Sequence, residues 1–213
     1  PEGELFSEDG LARLGALRDE LQGLEAVGST NSILNVPLLH SPDLTLDTVD
    51  SEIKTLDDHD VTPDTARQAL LNNPLYPNLL ISEDGRTTAI QVNLPTPDRY
   101  FELLRKRNDL RDKADAGEAS EAELAELERV KQDFIDFTET LGVERDATIR
   151  TVRSILDTYR DGADIHLGGV PMIVADMIRF IENDPHWHGG DYYETGQTPA
   201  EGMGQARRIA HLT

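Results

Sequence analysis

Cysteine is absent from the 213 residues, so neither a thiol nucleophile nor a structural disulfide is available. That absence is compatible with either the cytoplasm or the periplasm. Aromatic residues make up 5% and hydrophobic residues 38%, which points to a modest core and much exposed helical surface. Basic residues are scarce: 20 Lys and Arg stand against 41 Asp and Glu, a formal charge of −21. Nucleic-acid binding rests on neutralising phosphates with cations, and anionic lipid headgroups attract the same groups. The charge therefore argues against both partners and for solubility, with attraction of a cationic substrate or basic partner as the alternative. No apolar run approaches the roughly 20 residues of a membrane-spanning helix, and no charged-then-apolar leader opens the sequence. The expectation is a soluble chain of one domain, with or without an elaboration, long enough to bury a core.

What is present reads as alternating helical and β-type segments. Ser7 is placed to cap a helix over 8–23, with Glu8 and Asp9 in its first turn and Leu11, Leu14, Leu17, Leu21 and Leu24 along one face. Residues 26–39 are β-branched and short, which predicts a strand. Residues 40–75 are polar, with two short helices predicted; the second opens at Thr62-Pro63 and stops before Pro74. Residues 78–94 place two β-type runs around Glu83-Asp84-Gly85-Arg86, a hairpin signal. From Thr96-Pro97 the period becomes helical. Ser120 with Glu123 forms a capping box, and Leu127, Val130, Phe134, Phe137 and Leu141 step as a heptad seam. Residues 97–141 are therefore predicted to be a helical hairpin with arms about 30 Å long. Gly142 is expected to interrupt it, and Ile149, Val152, Leu156 and Tyr159 to resume it. A short strand and turn are expected at 164–171, then an apolar helix over 171–184.

The resulting order fits an α+β domain of the ferredoxin-like split βαβ type carrying an inserted long helical hairpin. Its first strand is expected to precede residue 1. The predicted organisation is 1–95 and 145–184 as the two parts of one α+β domain, 96–144 as the inserted hairpin, and 185–213 as a flexible polar tail.

Taken together and in order, "LFSEDGLARLGALRDELQGLEAVGSTNSILNVPLL", "LLISEDGRTTAIQVNL" and "IHLGGVPMIVADMIRFIEND" resemble the periplasmic (porter) loop domain of RND-superfamily exporters of the MMPL type. The resemblance runs from about Glu2 to Asp184. It implies a non-catalytic domain on the periplasmic side of the bacterial inner membrane, in which the 171–184 helix continues into a membrane span. The implied partners are the remainder of a membrane permease, other protomers or periplasmic proteins, and a lipid or hydrophobic substrate. After Asp184 this sequence departs from that pattern. The departure motivates a second reading: a free-standing acidic protein that binds a partner through its helical hairpin.

No cofactor motif is found. "GGVP" lacks the lysine and spacing of a phosphate loop, and "LDDHDVTPD" lacks the alternating ligands of a calcium loop. The one metal candidate is "HWHGGDYYE", where His186 and His188, with Asp191 and Glu194, offer imidazole and carboxylate ligands. It would make a third reading, a metal-dependent enzyme. Two histidines at i, i+2 do not share a helical face, so a flexible polar tail that happens to contain them is the simpler expectation. His166, between Ile165 and Leu167, is expected to be a satisfied structural or a surface histidine in preference to a ligand.

Overall fold

The structure, a computed structural model, describes residues 5–38, 54–58, 60–192 and 196–210. Six α-helices and two strands lie in these residues: α1 (Glu8–Gln22), β1 (Ser29–Asn31), α2 (Pro63–Asn72), β2 (Gln91–Asn93), α3 (Asp98–Asp115), α4 (Glu121–Thr158), α5 (Val170–Glu182) and α6 (Ala200–Ala210). The chain forms two compact units, residues 1–95 with 155–165, and residues 96–154 with 166–213. The sequence pattern suggests divisions after 95, 144 and 184. The first of the two predicted helices in 40–75 lies largely outside the described residues.

In the first unit, Ser7 caps α1 by accepting from the Gly10 N–H at 3.1 Å. Thr62 caps α2 in the same way through the Thr65 N–H, with Pro63 in the first turn. α2 buries Ala66, Ala69 and Leu70 against Ile33, Val36, Leu38, Tyr76, Leu80 and Ile81. Ile33 and Leu70 are fully buried, and the Tyr76 hydroxyl donates to the Pro37 carbonyl at 2.8 Å. The predicted strand over 26–39 is reduced to three residues. The Asn35 carboxamide accepts from the Ser32 N–H at 2.8 Å, and the Ser32 hydroxyl accepts from the Leu34 N–H. These side chains take the backbone donors that a ladder would need, so the strand ends at Asn31. The predicted hairpin over 78–94 is altered for a related reason. Ser82 Oγ and Asp84 Oδ1 accept the Thr87 and Arg86 N–H groups around Gly85, whose φ is 68°. Its two arms still meet at the antiparallel bridge Ile81–Thr88, where the Ser82 N–H donates to the Thr87 carbonyl and the Ala89 N–H to the Leu80 carbonyl, while Gln91–Asn93 pairs antiparallel with β1. No strand forms over 164–167. A split βαβ sheet has four strands, and the described residues supply two, in one antiparallel sheet.

In the second unit α3 and α4 lie as a hairpin around Leu103, Leu110, Leu127 and Val130, with Phe134 and Phe137 packed on them. Gly117, at φ 73°, ends the turn after α3. α4 then opens on the capping box: the Ser120 N–H donates to Glu123 Oε2 at 2.9 Å, and the Glu123 N–H to Ser120 Oγ at 3.3 Å. Lys113–Glu123 and Lys106–Glu126 ion pairs, at 2.7 and 2.6 Å, join the arms. α4 does not break at Gly142. A helical glycine costs only about 1 kcal/mol relative to alanine, and Leu141, Ile149 and Val152 are buried on either side of it.

Candidate functional site

The stretch from α5 to α6 holds the best-defined polar geometry in the second unit. Gly169, at φ 107°, turns the chain into α5, with Pro171 in its first turn. Asp176 on α5 receives the Arg153 guanidinium at 2.7 and 2.8 Å from its two oxygens, and Arg179 lies 3.4 Å away. Val170, Val174 and Ile178 form an exposed apolar line along α5.

α5 stops at Glu182. The cap residue Asn183 donates its N–H back to the Arg179 and Ile181 carbonyls. Asp184 follows, with 1% of its side chain exposed. One carboxylate oxygen accepts from the His186 N–H at 2.9 Å and lies 3.3 Å from His186 Nδ1. The other accepts from the Gly202 N–H at 2.8 Å. Gly202 belongs to the first turn of α6, whose leading N–H groups have no partner within the helix. Asp184 thus serves α6 as a cap supplied from the turn after α5. Its charge sits where the helix dipole is positive. The Gly202 N–H above all, then the His186 N–H, hold the carboxyl below the usual Asp value despite the opposing effect of desolvation.

Helix contact here is closer than any side chain permits. A Cβ on Gly202 would lie 2.3 Å from the Phe180 carbonyl oxygen and 2.9 Å from Ile181 Cα. Between the helices the chain reverses through three consecutive left-handed residues, His188 (φ 48°), Gly189 (68°) and Gly190 (98°). Glycine is the residue that takes this conformation without cost. Trp187 and Tyr192 close the turn with ring centroids 5.6 Å apart.

The predicted metal candidates fall in this turn. His186 is engaged with Asp184, and His188 stands in the left-handed turn. Glu194 lies outside the described residues, and Asp191 is exposed. Among the described residues no three His, Cys, Asp or Glu side chains are grouped to hold a metal ion. His166 is exposed. Sequence reasoning missed Asp184 and Gly202, although Thr198-Pro199 before α6 repeats the Thr-Pro signal read correctly at Thr62-Pro63.

No family model and no solved structure matches the chain. Among the curated proteins that match over a short stretch are several homoserine O-acetyltransferases. In particular, the homoserine O-acetyltransferase of Corynebacterium jeikeium is 72% identical over 39 residues, 18% of this chain and 10% of that protein. That of Corynebacterium glutamicum is 63% identical over 41 residues, 19% and 11% of the two chains. That of Mycobacterium leprae is 61% identical over 37 residues, 17% and 10%. The match thus spans about a tenth of the length of these relatives.

These matches overturn the exporter reading and, with it, the transport function and the expectation that no enzyme is involved. That resemblance rested on ordered stretches without a specific motif, whereas 60–70% identity over some 40 residues points to an enzyme family. The free-standing interaction protein gains no support from them either. The helix expected to lead into a membrane ends at Glu182, and no described helix is long and apolar enough to cross one.

Proposed function

We propose that this chain takes part in acetyl transfer to the hydroxyl of homoserine, the reaction for which its relatives are named, and that the α5–α6 stretch is what it shares with them. The observation that carries the reading is the 72% identity over 39 residues to the Corynebacterium jeikeium enzyme. Two features support the assignment to α5–α6. Its length, 41 positions from Val170 to Ala210, equals that of the longest shared stretches. It is also dense in residues that geometry makes hard to replace: the capping Asp184, the left-handed Gly189 and Gly190, and Gly202 at the helix contact. Where the backbone dictates the side chain, few substitutions are tolerated.

The role this gives α5–α6 is that of a rigid support, since sites built on packed helices are held more precisely than sites on loops. A periplasmic location has no support apart from the exporter resemblance. The test is direct: the full chain is incubated with homoserine and acetyl-coenzyme A, and O-acetylhomoserine is measured by mass spectrometry. Product above the protein-free control supports the reading. No product from protein shown to be folded by circular dichroism removes it.

A further inference from the structure

We propose that α6 is a detachable helix, latched onto α5 by the Asp184 carboxylate and released when that group loses its charge, while the α3–α4 hairpin stays folded. Three observations lead there. First, α6 is 11 residues long, and isolated helices of that length are marginal in water, so it depends on docking. Second, the apolar contact rests on few positions: Pro199 just before the helix is fully buried, Gly202 and Ala206 are buried among the described positions within it, and Met203 is 43% exposed. Third, the contact is polar at its centre, where Asp184 ties the α6 first turn through the Gly202 N–H and its own turn through the His186 N–H.

The same carboxylate therefore closes the chain reversal and the helix contact together. Burying it is tolerable because both oxygens are engaged. Neutralising it takes a negative charge from the positive end of α6 and weakens both bonds, since hydrogen bonds to an ionised acceptor are the stronger kind. The ionisable group in contact with it is the His186 ring, 3.3 Å from one carboxylate oxygen, which when protonated favours the ionised carboxylate. Glu182 at the end of α5 and Glu201 in the first turn of α6 are exposed. Because the native carboxyl titrates below its usual value, the latch is fully closed above pH 3.8 and opens as the pH falls through the lowered value.

Amide hydrogen exchange on the full chain, read by NMR, tests this. In Asp184→Asn at pH 7 the Gly202 and Met203 amides are expected to exchange about tenfold faster or more than in the parent, with Val130 and Leu110 in the hairpin unchanged. In the parent protein the same two amides keep their protection from pH 6 to 3.8 and lose it as the pH is lowered further, after correction for intrinsic exchange. The variant shows no such step. Unchanged protection of Gly202 in the variant overturns the proposal. So does acceleration of Val130 and Leu110 in parallel, in either arm of the experiment, because α6 would then open only with the whole unit.

Discussion

Three glycines show how one residue type carries opposite consequences. Gly142 lies mid-helix in α4, exposed, with no atom within 4 Å of where a Cβ would stand. Gly142→Ala removes backbone entropy from the unfolded chain at no steric cost, so urea unfolding of the variant is expected to show a gain of about 0.5–1 kcal/mol. Gly202→Ala meets backbone atoms of Phe180 and Ile181 instead. The same measurement is expected to show a loss of about 1–3 kcal/mol, the range for overpacking. Gly162 is a third case: a Cβ there would enter the Arg13 guanidinium, which donates to the Tyr159 carbonyl at 3.1 Å. An acid–base consequence also belongs to this scale. Glu123 has its carboxyl lowered to about 2 by the Lys113 ammonium first, then by the Ser120 N–H and hydroxyl. A folded value below the usual 4.5 means that this group stabilises the fold above pH 4.5 and ceases to as the pH falls from 4.5 toward 2. An NMR titration should place the Glu123 midpoint near 2, and Lys113→Ala should move it upward.

Among the elements, the helices other than α6 were legible, and the two strands fell inside longer predicted β-type runs. The starts of α1 and α2 followed from Ser7 and Thr62-Pro63, and that of α4 from Ser120 and Glu123, because a cap is a local interaction written into three or four consecutive residues. Replacing Ser120 by alanine should accordingly cost about 1 kcal/mol in the unfolding free energy. The seam of Leu127 and Val130 was equally readable, since period 3.5 survives any detail of the partner arm. The strand over 26–39 was over-read because β-branched residues announce only a fit to a pleated surface, while Ser32 and Asn35 divert the backbone donors locally. At Gly142 a propensity argument was given more weight than about 1 kcal/mol deserves. α6 went unread although Thr198-Pro199 offered a local start signal; what no window of local sequence contains is the Asp184 cap, 18 positions from the amide it serves.

For the molecule as a whole, the dominant quantity is the charge of −21. Self-repulsion of that size opposes the compact state and is screened by salt. Thermal unfolding at pH 7 should therefore shift to higher temperature as sodium chloride is raised from roughly 10 to 150 mM, where the Debye length falls to about 8 Å. A flat or falling midpoint would mean that the attractive pairs, such as Arg153–Asp176, outweigh the repulsion. Composition also disposed correctly of disulfides and of thiol chemistry, which require a residue that is not there. It had no hold on the match to homoserine O-acetyltransferases, because the shared stretch is under a fifth of the chain. The turn after α5 adds a stereochemical corollary. At Gly189, φ 68° and ψ 22° are the mirror image of an ordinary right-handed helical residue. An amino acid of inverted configuration, D-alanine installed by chemical ligation, would find at this position the comfort that L-alanine finds in a helix. Its natural enantiomer would be strained there.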